Sequence, residues 1–348
     1  MAGNRLRIAL IVPPMLPVPP PAYAGTERVV AALLDELVRR RHQVTLFAPG
    51  DSNVEAELVP TPERSLWSRG YRGDISSFLS VTLARAWEQS ERFDIIHSHV
   101  ETLGFLFARH CGRPVLTTLH GRLDIAGIPE LIEAFPDIPL VAISESQRRW
   151  SPDANWMATI PHGLPLQRVP FGPEPGSYLA FVGRITPEKG IAECIELARR
   201  TGKTLRIAAK VYDSHEKDHF AKVVAPAIDE GGVEFLGELA PPERDALYAG
   251  AAATLMLGAW PEPFGLVAIE SMAAGTPVIA RRAGALTETI DHGETGFLVD
   301  DLDEAVLAAD RLETIDRAEV RRRALERFSP SRMADEYEEV YRRLLEAS

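Results

Sequence analysis

Two glutamates, Glu262 and Glu270, stand eight residues apart in residues 260–278, the stretch of the chain richest in chemical signal. Glu262 falls in a loop after an apolar run. Glu270 falls inside the next helical stretch, among the apolar Leu266, Val267, Ile269 and Met272. An acid with such neighbours needs a partner or a ligand. A rise of about 1.5 Å per residue keeps Glu270 within roughly 10 Å of the helix start, and its side chain tilts back toward that start. One carboxylate can therefore sit at the mouth of a site and the other beside it. Upstream, Gly183-Arg184 and Lys189-Gly190 place two cations five residues apart, between the end of a strand and the start of a helix. Fixed positive charge beside helix N-terminal amides is what phosphate recognition uses. His120 follows an apolar run and precedes Gly121. It reads equally as a turn residue and as a cleft-facing donor or base. Gly25, at the start of another helix, would let backbone amides approach an anionic ligand closely.

Other patterns carry less. No G-x-G-x-x-G is present, so no nicotinamide dinucleotide is expected. Thr201-Gly202-Lys203-Thr204 imitates the end of a P-loop, but Leu197 stands where the first glycine is required and the segment precedes a strand. His97 and His99 project to one side of a strand. They lack a carboxylate or cysteine at ligand spacing, so no metal is expected. Asp301 and Asp303 read as turn chemistry. Pro14 and Pro17 read as part of a stiff loop, not as a docking ligand for another domain.

The elements that would position these residues form two series. Residues 6–12, 43–48, 94–97, 115–118, 140–143 and 158–160 read as strands, with a helix over 26–40 that Thr26 could cap. The pattern restarts with strands over 177–182, 205–209, 233–236, 253–257 and 278–280. Helices are expected over 187–200, 241–249 and 266–274. Strand–helix alternation predicts doubly wound parallel sheets of α/β class. The segment 165–176, with four prolines and two glycines, suits a linker. The expected division is a first domain over 1–165, a second over 166–328 and a terminal helix over 329–348. Ser329 before Pro330 would cap that helix. Two such domains leave a cleft, and ligands of these sheets bind beyond the carboxyl ends of the strands.

At 348 residues the chain suits two domains, and 45% apolar with 25% charged residues excludes a disordered chain or a disulfide scaffold. The net charge is −12, which disfavours nucleic acid as a partner. The first 165 residues hold 16 Arg, no Lys and 18 acids; the remainder holds 22 basic and 32 acidic residues. Two cysteines, Cys111 and Cys194, make no framework. No leader and no run of about 18 apolar residues is read, so a cytoplasmic protein is expected. Peripheral membrane contact, if made, would use Arg39, Arg40, Arg41, Trp67, Arg69 and Arg72.

On these residues the chain resembles retaining glycosyltransferases of family 4, bacterial type, with the GT-B fold. The resemblance rests on the E-x7-E pair Glu262 and Glu270, on Gly183-Arg184 with Lys189-Gly190, on residues 94–99, on His120-Gly121 and on Arg327-Phe328-Ser329. Residues 20–30 and 207–211 resemble a bacterial subgroup that includes enzymes of antibiotic biosynthesis. The resemblance implies transfer of a hexose from a nucleoside-diphosphate sugar, with uridine as the expected base, to an acceptor held mainly by the first domain. It implies a terminal helix crossing back to that domain, and no metal or other cofactor. It assigns the diphosphate to Arg184 and Lys189, aided by amides around Gly265 and Leu266, with Lys210 as a further phosphate candidate. Glu270 would take ribose hydroxyls, Glu262 the sugar or the oxocarbenium-like centre, and Phe264 would wall the sugar site. His120 would bond the sugar or polarise the reacting groups, and Gly25 would admit the donor to the backbone. An epimerase or phosphorylase on this fold, or a non-catalytic nucleotide-sugar binder, are the alternatives. The chain departs from the family pattern at Ala24, Arg41, the run 162–165 and Lys210, where many members carry glycine, glycine, Asn-Gly-x-Asp and glycine.

Overall fold

A computed structural model describes residues 5–21 and 24–347; Ala22 and Tyr23 of the proline-rich loop lie outside the described residues. The chain forms two compact units, Met1–Pro165 with Ser329–Ser348, and Leu166–Phe328.

The first unit is built on seven parallel strands: β1 (Arg7–Ile11), β2 (Gln43–Ala48), β3 (Glu57–Pro60), β4 (Ile95–Ser98), β5 (Val115–Thr118), β6 (Leu140–Ala142) and β7 (Trp156–Thr159). Their order across the sheet is β3-β2-β1-β4-β5-β6-β7. Ile8, Ala9 and Leu10 are fully buried, because helices cover both faces of a parallel sheet. β3 reads poorly as a strand because it is a short edge with only two half-buried residues.

The helix Thr26–Arg39 follows β1. Thr26 does not cap it: Gly25 occupies the capping position and no side chain bonds there. The helix closes with Arg41 N–H donating to Val38 and His42 N–H to Leu37, a Schellman motif whose turning residue is usually glycine. Arg41 takes that left-handed position with φ +70°.

The terminal helix Pro330–Ala347 belongs to this first unit. Ser329 Oγ accepts the Arg332 amide at its start. Its buried stripe is Met333, Ala334, Tyr337, Val340, Tyr341 and Leu344. Arg40, on the end of the Thr26 helix, bonds Asp335 at 2.6 Å and Ser331. Arg39 pairs with Glu36, and the Arg72 guanidinium lies 3.7 Å from the centre of the Trp67 ring. Several of the arginines proposed above for a membrane surface are thus engaged within the protein. Among the described residues, no helix is long and apolar enough to cross a membrane.

The second unit holds six parallel strands: β8 (Tyr178–Arg184), β9 (Thr204–Lys210), β10 (Val233–Gly237), β11 (Ala251–Met256), β12 (Val278–Arg281) and β13 (Gly296–Val299), in the order β10-β9-β8-β11-β12-β13. The expected helix over 187–200 is two pieces, a 3₁₀ turn Pro187–Lys189 and a helix Ile191–Thr201. Gly190 separates them at φ +72°. A Cβ on Gly190 would stand 2.4 Å from the Gly258 nitrogen, and one on Gly258 would stand 2.2 Å from the Glu188 oxygen. Two glycines interlock there, and the loop after β8 lies directly on the loop after β11.

In each sheet the strand order reverses once beside the first strand, at β1/β4 and at β8/β11. A crevice opens at such a switch point beyond the carboxyl ends, where open α/β sheets bind ligands.

Candidate active site

The charged residues singled out in the second half gather at the β8/β11 switch. Arg184 ends β8, and Lys210 ends β9 as its register partner. Lys189 lies in the loop after β8, and Glu262 in the loop after β11. Lys189 Nζ bonds Glu262 Oε2 at 2.8 Å, with both side chains mostly buried. The same ammonium lies 3.8 Å from the centre of the Trp260 ring, a contact that holds a cation by the ring quadrupole. Gly284 completes the setting of Glu262. At φ +58°, a Cβ on it would stand 2.5 Å from the Glu262 nitrogen, and the Glu262 carbonyl accepts the Ala285 amide.

Arg184 is more than half exposed. Its Nε donates to Glu216 at 2.6 Å, and its Nη2 reaches Asp213 at 3.4 Å. Glu216 is itself buried and accepts the Tyr212 amide. Lys210 Nζ stands 4.0 Å from Glu238 and 5.1 Å from the Tyr212 ring centre.

Gly265, at φ +97°, is the N-cap of the helix Leu266–Ala273. The first amides of a helix have no carbonyl one turn back to accept them, so this end presents N–H groups. Glu270 lies in the second turn and is 1% exposed. Its carboxylate meets the Tyr248 hydroxyl at 3.2 Å and Arg244 Nη2 at 3.3 Å. Both partners come from the helix Pro241–Ala249. The acid among apolar neighbours therefore has partners, and they fix its direction. Phe264 is buried with its ring edge-on to Phe328 at 5.8 Å. Packing inside the second unit thus occupies much of the ring that the resemblance gives to a sugar.

In the first unit, His120 lies beyond β5 and His99 beyond β4. His99 Nδ1 and His120 Nε2 are 2.9 Å apart. The His120 ring stacks on His162 at 5.1 Å. The run 162–165 that departs from the family pattern therefore contributes a ring to the His120 neighbourhood. A Cβ on Gly163 would stand 2.4 Å from the Ser329 oxygen, so the backbone there lies against the start of the terminal helix. Burial lowers the His120 pKa to about 3 and holds His97, His99 and His162 well below the usual range. All four are neutral at physiological pH. Glu101 Oε1 accepts the His120 amide at 2.9 Å, and desolvation pushes its carboxyl up to about 7. Glu101 itself sits at φ +54°. Gly25 starts the helix after β1, at the β1/β4 switch of the first sheet, and its carbonyl accepts the Val29 amide.

His97 is engaged elsewhere. Its Nδ1 meets the Tyr341 hydroxyl at 2.7 Å and its Nε2 meets Thr118 Oγ1 at 2.8 Å. Thr118 Oγ1 in turn meets the Tyr337 hydroxyl at 3.0 Å. Two tyrosines of the terminal helix thus tie it to the sheet, Tyr341 through His97 and Tyr337 through Thr118. Asp301 caps the helix Leu302–Ala309 by accepting the Glu304 amide. Among the described residues, no group of three or more His, Cys, Asp or Glu side chains is arranged to hold a metal ion.

Several participants carried no local signal. Arg244, Tyr248, Gly284 and Glu101 belong to no spacing pattern, and only the folded geometry joins them to the named residues.

Comparison with known proteins agrees with this architecture. The family described as Glycosyl transferases group 1 matches residues 167–327, and that described as Glycosyltransferase Family 4 matches residues 23–168. Phosphatidyl-myo-inositol mannosyltransferase of Mycobacterium leprae is 25% identical over 97% of this chain and 96% of its own length. AviGT4, a glycosyltransferase involved in avilamycin A biosynthesis, has a solved structure that superposes with a TM-score of 0.73. It is 25% identical and covers 99% of both chains. Sucrose-phosphate synthase from Thermosynechococcus elongatus gives a TM-score of 0.79 at 22% identity, covering 99% of this chain and 100% of its own. Two doubly wound parallel domains with these neighbours are the GT-B fold of a glycosyltransferase. The chain belongs to glycosyltransferase family 4.

Proposed function

We propose that the protein transfers a hexose, with retention of anomeric configuration, from a uridine diphosphate sugar to an acceptor hydroxyl, without a metal ion. The observation that carries this reading is the arrangement at the β8/β11 switch. Lys189 and Arg184 supply fixed positive charge there, beside the N-terminus of the Leu266 helix and two differently held carboxylates. The mannosyltransferase relative supports a hexose. Retention and uridine follow from the family resemblance.

The bond between the anomeric carbon and the diphosphate oxygen breaks, and the acceptor oxygen bonds that carbon on the same face. The acceptor's proton leaves on the departing phosphate oxygen. Negative charge grows on the diphosphate as the bond breaks, and preorganised cations and amides stabilise it most at that moment. Lys189, shared between Glu262 and the diphosphate, would supply this charge with Arg184, and Lys210 stands next to Arg184 in register. Glu262 would take sugar hydroxyls or face the oxocarbenium-like centre. Glu270, aimed by Tyr248 and Arg244, would accept the ribose hydroxyls. His120 and Gly25, on the first unit, would meet the sugar or the diphosphate. The unbridged Cys111 and Cys194 suit a cytoplasmic reaction.

Thermal shift against uridine, guanosine and adenosine diphosphates and their sugars, with and without chelator, tests the donor. A ligand at 100 times its dissociation constant adds about 2.7 kcal/mol, and the uridine series is expected to give the largest, chelator-resistant shift. Replacing Lys189 or Glu262 by Ala should lower turnover on the order of 10²-fold or more with the fold intact. Near-normal turnover in both variants would remove this site assignment.

A further inference from the structure

Glu216 is 3% exposed, although the arginine it meets is open to solvent. It is the third residue of the short helix Ser214–His219. A glutamate at that position ordinarily turns back to cap the helix. Glu216 Oε2 does so, accepting the Tyr212 amide at 2.7 Å and the Asp213 amide at 3.3 Å. Its own amide donates to Asp213 Oδ1 at 2.8 Å. These bonds anchor the carboxylate to the backbone after β9. The second oxygen, Oε1, accepts Arg184 Nε–H at 2.6 Å. Both oxygens are therefore engaged, as a buried carboxylate requires.

Arg184 does not need Glu216 for its own solvation. Its side chain is 57% exposed, and water can serve an exposed guanidinium in many rotamers. The pair is also one-sided. Glu216 takes Nε, and Asp213 lies 3.4 Å from Nη2 along the same edge of the fork. Nη1 makes no hydrogen bond among the described residues. The end of the fork is thus left for a ligand, at the carboxyl end of β8, with Lys210 next to it in register. Two carboxylates beside Arg184 subtract from its positive field, so tighter anion binding is not what they provide. What Glu216 provides is direction.

We propose that Glu216 is a positioning residue for Arg184: it holds the guanidinium by its Nε edge, so that the Nη1–Nη2 end meets a phosphate oxygen of the nucleoside-diphosphate donor. A fork held in this way is preorganised for the oxygen that gains charge as the sugar bond breaks, and it does not rearrange at that moment. A lysine cannot take the place of Arg184, because its charge sits on one atom, which Glu216 would draw to itself. The part concerning phosphate rests on the reading of Arg184 as a diphosphate ligand; the hold on Nε does not.

The test uses the full chain labelled with ¹⁵N at arginine. In the ligand-free protein the Arg184 Nε–H, assigned by Arg184→Lys, is expected to give a slowly exchanging resonance, which an exposed and unheld guanidinium does not. Glu216→Met, close in length and without a carboxylate, should lose that resonance. Glu216→Gln, with one carbonyl oxygen for the donors of Arg184, Tyr212 and Asp213, should weaken it. Asp213→Asn should keep it. Adding uridine diphosphate should shift the resonance without speeding its exchange. Circular dichroism and melting temperature establish that each variant is folded.

The second arm follows hydrolysis of uridine diphosphate glucose. Glu216→Met should lower kcat by roughly tenfold or more, as misplacement of a group that stabilises the transition state does, with KM no higher than in the wild type. Arg184→Ala should lower kcat as well. Glu216→Met added to Arg184→Ala should change kcat by no more than about twofold, because Glu216 acts only through Arg184. Losses that multiply would make Glu216 a structural residue and overturn the proposal. So would equal kcat in Glu216→Met and wild type, a wild-type Nε–H in fast exchange, or loss of that resonance when uridine diphosphate binds. Absence of donor turnover in the wild type, or of any shift with uridine diphosphate, would count against the nucleotide-sugar reading and remove the phosphate half of the proposal. The ligand-free spectra decide the hold on Nε without it.

Discussion

Arg41 occupies a backbone conformation that costs an L-residue about 1–2 kcal/mol, at the left-handed turn that closes the Thr26 helix. Its side chain is exposed, and φ is +70°. Arg41→Gly should therefore raise stability by about 1 kcal/mol, read as a higher urea midpoint; a lower midpoint would mean that the Arg41 side chain contributes more than its backbone costs. Glu27 makes a second case. It is 6% exposed in the first turn of the Thr26 helix, and burial pushes its carboxyl from an ordinary 4.5 up to about 7. Between those values the folded state keeps a proton that the unfolded state has lost, so stability falls as pH rises through that window. Glu27→Gln removes the effect. It should be more stable than wild type by about 1–3 kcal/mol at pH 8 and nearly equal to it at pH 5. An offset that does not change with pH would show that the carboxyl is not the cause.

Elements decide which of these residues meet. The helix after β11 was legible because Glu270 sits in an apolar run of helical length between Gly265 and Gly275, and its companion Glu262 lies in the loop before it. The Lys189–Glu262 bond spans 73 positions and depends on Gly190 and Gly258 interlocking, which no local pattern announces. The same holds for His99 and His120. The spacing at 97 and 99 showed two rings on one side of a strand, but not that one ring faces the terminal helix and the other a loop. β3 shows no apolar run because its four residues are exposed or half-buried at the sheet edge, and β13 opens on Gly296 and leaves only Phe297, Leu298 and Val299 as its apolar signal. The terminal helix gives this scale its own prediction. Tyr341→Phe leaves His97 Nδ1 without its partner and should cost about 1–2 kcal/mol. Tyr337→Phe should cost less, because Thr118 still serves His97 Nε2. Melting temperatures of the two variants give the comparison, and the reverse ranking would mean that the tie runs through Thr118.

On the scale of the whole molecule, the two units differ in how they are cut from the chain. The second is one continuous segment with its own six-stranded sheet, whereas the first needs Ser329–Ser348 to cover it. Residues 166–328 expressed alone should fold cooperatively and bind uridine diphosphate. Residues 1–165 alone should not reach a single packed state until a peptide of residues 329–348 is supplied. Dispersed amide spectra from 1–165 without the peptide would contradict this.

That discontinuity also sets an order of assembly. Domains made on the ribosome tend to fold as units in the order in which they emerge. Here the unit that starts first cannot finish first, because its last helix is translated after the whole of the second unit. While residues 166–328 emerge and fold, the surface awaiting Met333, Tyr337 and Tyr341 stays open. Until residues 329–348 emerge, the chain carries a second unit that can finish and a first unit that cannot, and that interval is when the protein would most need a chaperone.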